Sequence, residues 1–149
     1  MARPRDTIIA VITAEERVAN LLSHRGRPGV VSVYLFGSRA SGREHRESDV
    51  DLAALLDWKA HPTARDRFEE RLALIALFPG VLPGAGIDLV ILNDAPPLLG
   101  RRIVTEGRRL FCSDPAADHA FVRDVQLRAA DLAPFLRRTR RAKLAALGR

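Results

Sequence analysis

Apolar positions divide the chain into short segments of two different periods. Residues 6–24 carry Ile8, Ile9, Val11, Ile12, Val18, Leu21 and Leu22 at helical spacing, which predicts an amphipathic helix. The stretch Arg25-Gly26-Arg27-Pro28-Gly29 ends it. Residues 30–36 (VVSVYLF) form a nearly continuous β-branched and apolar run, the pattern of a buried strand. Residues 37–47 are small and polar and predict a loop, with a short helix starting near Ser38. A second strand is expected over 49–56 (DVDLAALL), a helix over 61–78 with Phe68, Leu72, Ile75 and Ala76 on one face, and a third strand over 87–92.

Pro96-Pro97 suits a helix start and Gly107 its end. Leu110-Phe111 predicts a short strand, and residues 115–147 a long helical segment that Pro134 should kink or break. Strands alternating with helices give an α/β (α+β) fold, a small mixed β-sheet with flanking helices. No repeat or linker divides the chain, so residues 1–149 are expected to form a single domain.

Composition narrows the function classes. A formal net charge of +6 favours anionic partners, and Arg137, Arg138, Arg140, Arg141, Lys143 and Arg149 crowd the end of the last helix. With 6 Phe, 1 Tyr and 1 Trp, the chain has few rings to stack on bases, which argues against direct nucleic-acid binding. Cys112 is the single cysteine, so no intramolecular disulfide forms. No apolar run reaches membrane-spanning length, and a soluble, cytoplasmic protein is expected. His24, His61 and His119 are scattered without the spacing of zinc ligands.

The chemistry-bearing residues surround the first loop. Gly37-Ser38 follows the first strand directly, and a glycine there lets backbone approach a ligand closely. A serine at a helix start adds a hydroxyl beside free N–H groups, a corner suited to phosphate. Asp49 and Asp51 stand two residues apart, so on a strand their carboxylates share a face. Two such charges repel unless a cation lies between them, and an oxygen-only donor set favours Mg²⁺. Asp88 lies in the third strand among apolar residues, where an unpaired charge is costly. If that strand pairs with the second, three carboxylates could hold two Mg²⁺ ions, with Asp88 toward the attacking hydroxyl as a general base.

Gly37-Ser38, ten residues, Asp49, one residue, Asp51 resembles the signature of the DNA polymerase β-like nucleotidyltransferases. The wider string GSRASGREHRESDVDLAALL resembles their minimal nucleotidyltransferase (MNT) branch. So does IDLVILNDAPPLLGRRIVTEGRRLF, with Asn93, the segment Ala95-Pro96-Pro97-Leu98 and the Gly107…Leu110-Phe111 ending. The resemblance spans about residues 6–145. It implies a polymerase β-like fold and adenylyl transfer from ATP with Mg²⁺. Gly37, Ser38 and Arg39 would bind the nucleotide, and Asp49, Asp51 and Asp88 would serve as metal and catalytic carboxylates. It also implies an antitoxin role, modifying a tyrosine of a HEPN-type RNase toxin and assembling with it. Ser41 stands where many relatives have arginine, which removes one phosphate contact that Arg43 or Arg46 could replace. Two other activities fit the same residues: transfer to a small hydroxylated molecule such as an aminoglycoside, and toxin occlusion without catalysis.

Overall fold

A computed structural model describes residues 13–24, 27–37, 40, 49–82 and 86–148. Four strands, β1 (Val30–Phe36), β2 (Val50–Leu56), β3 (Ile87–Ile91) and β4 (Arg108–Cys112), form one mixed sheet in the order β3-β2-β1-β4. β1 runs antiparallel to β2 and to β4, while β2 and β3 are parallel. The helices are α1 (Ala14–His24), α2 (Ala64–Leu77), α3 (Pro97–Glu106) and α4 (Pro115–Leu147). The crossover from β2 to its parallel neighbour passes through α2, as a parallel pair requires.

β1 and β2 are apolar at nearly every position because both sheet faces are covered. On one face Val33, Leu35, Leu52, Ala54 and Leu56 pack with Val18 and Leu22 of α1 and Leu74 of α2. On the other, Val31, Tyr34, Ala53 and Leu55 pack with Ile103 of α3 and Phe121 of α4. Asn93 closes the end of β2: its side chain accepts from Leu56 N at 2.9 Å and donates to Leu56 O at 2.8 Å, the exchange a further strand would supply. Among the described residues no helix is long and apolar enough to cross a membrane.

Two expectations need correction. Of the expected α2 face only Ile75 packs on the core; Phe68, Leu72 and Ala76 are exposed, and Arg67, Arg71 and Leu74, continued by Phe78, turn inward instead. Charged residues occupy the inner stripe because each finds a partner there. Arg67 forks onto the Asp94 carboxylate at 2.8–3.0 Å and lies 4.9 Å from the Trp58 ring centroid. Arg71 donates to Leu89 O at 2.6 Å. Glu70 of the same helix meets Arg27 at 2.9 Å. Second, α4 continues through Pro134 without a break; one missing N–H removes a single bond from a ladder of 33 residues. Along α4 the stripe Phe121–Val125–Leu132–Leu136 is core only in its first half, as Leu132 and Leu136 are exposed. The expected helix over residues 6–24 is described from Ala14 onward, and its earlier part lies outside the described residues.

Candidate active site

The register of the sheet assembles the acidic residues. Asp51 stands opposite Phe36 of β1 on one side and Asp88 of β3 on the other. Because β2 and β3 are parallel and in register there, the two carboxylates leave the same face side by side. Asp49 immediately precedes β2, two residues from Asp51, and so shares that face. This is the face on which Ala53 and Val90 pack toward α3 and α4, but the acidic positions lie at its open end. Asp49 and Asp88 are exposed and Asp51 is half-buried. The conditional pairing that would bring Asp88 to the aspartate pair is therefore the pairing found.

The electrostatics follow from that crowding. Partial burial raises the Asp51 pKa above the ordinary carboxylate range, and the Asp88 and Asp49 charges push it further in the same direction. Among the described residues no ion pair links a Lys or Arg to any of the three. Nor are three acidic, His or Cys side chains already drawn together as a closed ligand cluster among those residues. The donor set is nonetheless all-oxygen, anionic and open to solvent, which suits a hard divalent cation that keeps some of its water.

Two glycines make room for these carboxylates. Gly37 ends β1 with φ of +73°, in the left-handed region, and a Cβ there would run into Asp51 Oδ2. Gly86 precedes β3, and its carbonyl accepts from Val50 N at 2.9 Å. A Cβ on Gly86 would lie 3.0 Å from Asp49 Oδ1. Gly86 is not among the residues the sequence singles out; the signal that could find it is its place just before the strand that pairs with the aspartate strand. Ser38 and Arg39, the other expected nucleotide contacts, lie outside the described residues, as do Ser41, Arg43 and Arg46.

A glycine corner at the end of one strand, facing a row of carboxylates at the start of the next two, is a geometry suited to a polyphosphate paired with a divalent cation. Residues 16–116 match the family described as polymerase beta, nucleotidyltransferase, and the chain belongs to that family. It is 33% identical over 84 residues to the protein adenylyltransferase MntA of Shewanella oneidensis, a match covering 56% of this chain. The match spans about half the length of that relative, 55% of it. Among solved structures, a chain of a toxin–antitoxin crystal structure with AMP-PNP aligns with TM-score 0.60 and 26% identity, covering 91% of this chain and 98% of that one. A chain of the complex between a tri-AMPylated S. oneidensis HEPN toxin and an MNT antitoxin aligns with TM-score 0.54 at 23% identity, covering 91% and 97%. The latter likeness supports the fold alone.

Proposed function

We propose that this protein is a Mg²⁺-dependent adenylyltransferase that moves AMP from ATP to a tyrosine hydroxyl of a HEPN-type toxin and so neutralises it. The observation that carries this reading is the in-register placement of Asp51 beside Asp88, with Asp49 on the same face and Gly37 against Asp51. Similarity to an adenylyltransferase and to a toxin–antitoxin structure with AMP-PNP supports the choice of nucleotide and acceptor class.

In the reaction, the acceptor oxygen attacks the α-phosphorus, the α–β anhydride bond breaks, and pyrophosphate leaves with the bonding electron pair. Asp49, Asp51 and Asp88 are the residues that would hold Mg²⁺, and the three carboxylates provide donors for two ions. When bound, the cation neutralises charge on the triphosphate and the departing pyrophosphate. Asp88, the most accessible strand carboxylate, is positioned to take the hydroxyl proton. Gly37 keeps the corner free of side-chain bulk so that phosphate oxygens can approach the backbone, with Ser38 and Arg39 as the adjoining nucleotide contacts.

The test is incubation of the chain with ATP, Mg²⁺ and a candidate HEPN-type toxin from the same source, followed by intact-mass analysis and peptide mapping. AMP on a tyrosine of that protein is the expected result. Transfer that survives Asp49→Ala or Asp51→Ala would overturn the site assignment. A metal-site variant that still neutralises the toxin in cells would replace catalysis with occlusion.

A further inference from the structure

α4 belongs to the fold along only half of its length. Asp118, Val125 and Ala129 are buried, and the helical spacing of seven and four that links them continues in steps of three and four to Leu132 and Leu136. From Pro134 to Gly148, however, every residue except Thr139 is exposed. Five large apolar side chains lie in water along this stretch and the turn before it: Leu132, Phe135, Leu136, Leu144 and Leu147, with Phe135 61% and Leu147 83% exposed. The side-chain hydrogen bonds formed here among the described residues, Arg138 to Pro134 O and Thr139 to Phe135 O, stay within the helix.

This stretch is a projecting arm of about 22 Å at the helical rise of ~1.5 Å per residue. Helices of roughly 12–15 residues are marginal in water without tertiary support, and Pro134 removes one hydrogen bond at its base. An arm of this kind gains its stability from something packed on it. Its charge says what. Arg137, Arg138, Arg140, Arg141 and Lys143 occur there, and no Asp or Glu lies between 132 and 148. At helical spacing Arg140, Lys143 and Leu147 follow Leu132 and Leu136 on one face. Two arms laid against each other would set the same cations face to face, with no acid within 132–148 to answer them. Nucleic acid would satisfy the cations and leave the leucines in water.

We propose that the arm, residues 132–148, is the docking surface for the protein that accepts the nucleotide, and that this partner covers it with an apolar groove rimmed by Asp and Glu side chains, the helix-in-groove mode. The proposal rests on the adenylyl-transfer reading for the partner's identity. It assigns the arm to partner capture and leaves the carboxylate site to chemistry.

The experiment measures the affinity of the full chain for a HEPN-type candidate toxin from the same source by calorimetry, with AMP transfer followed in parallel. Arg140→Glu combined with Lys143→Glu should raise Kd by roughly tenfold or more and flatten its salt dependence. Leu136→Ala combined with Leu147→Ala should raise Kd while keeping that salt dependence. Circular dichroism should show both variants folded, with Mg²⁺–ATP binding unchanged. Wild-type affinity in both variants would overturn the docking assignment and leave the transfer reading intact. Arm-dependent binding without any AMP transfer would sustain the docking assignment and sink the transfer reading. Arm-dependent self-association, or arm-dependent capture of a labelled RNA in place of the protein, would also overturn the docking assignment.

Discussion

Asp118 and Asp51 are acidic side chains on the same side of one small sheet, and the fold treats them in opposite ways. Asp118 is 1% exposed and fully answered: the Tyr34 hydroxyl donates to it at 2.9 Å and Arg109 pairs with it at 2.8 Å. Burial and the Asp118 hydrogen bond raise the Tyr34 pKa above the usual phenol range, so the hydroxyl stays a donor. The Asp118 pairing also raises the Arg109 pKa. Asp51 has other carboxylates for company, Asp88 and Asp49, and its pKa is raised by burial and by those neighbours. A buried acid supplied with donors pins α4 to β1. A row of acids facing one another at an open sheet end costs stability, a cost that a bound cation would relieve.

The comparison is broken most sharply by removing one member of each set. Asp51→Asn should lower AMP transfer roughly a thousandfold or more, the loss expected when several kcal/mol of metal-mediated stabilisation disappears; steady-state kinetics reads it. Gly37→Ala pushes a methyl against Asp51 from a left-handed backbone position, and the displaced carboxylate should cost on the order of a hundredfold in kcat/KM. Asp118→Ala should act on stability instead. It leaves the Tyr34 hydroxyl buried without its acceptor, while Arg109, 42% exposed, can turn to water. A loss of about 2–3 kcal/mol is expected, visible as a lower urea midpoint with little change in the slope.

Asp51→Asn should have a second, smaller effect of opposite sign. A carboxyl whose pKa is raised by folding supports the fold at low pH and ceases to do so as pH rises through its folded value. At neutral pH without Mg²⁺ the ionised Asp51 is therefore a cost, and the Asn variant should melt higher than wild type. That advantage should fade on acidification, and added Mg²⁺–ATP should stabilise wild type far more than the variant. Smallest of all, Arg65→Ala removes an exposed pair with Glu69 and should change stability by about 0.3–0.5 kcal/mol, with no effect on transfer.

Much of this was legible in the sequence because it rests on short-range rules. β1 and β3 are marked by apolar runs interrupted once each, by Ser32 and Asp88, and the two-residue step from Asp49 to Asp51 sets a common face before any pairing is known. Asp88 could be placed only conditionally, since strand adjacency is a long-range property that a linear pattern does not carry. The α2 face was misread because apolarity stood in for burial: Arg67 and Arg71 lie inward through partners, Asp94 and the Leu89 carbonyl, that are distant in the chain. Asp118 escaped notice for the same reason, as its donors come from β1 and β4. Leu132 and Leu136 keep a core-like spacing past Ala129, the last buried residue of α4.

The central claim is that the acidic row at the start of β2 and β3 transfers a nucleotide to a partner protein. Its most direct test uses ATP labelled at the α-phosphate, Mg²⁺ and the HEPN-type partner, comparing wild type with Asp51→Asn in one gel. Label on the partner with wild type and none with the variant is the expected result. An unlabelled partner with folded wild type, or equal labelling by both proteins, would contradict it.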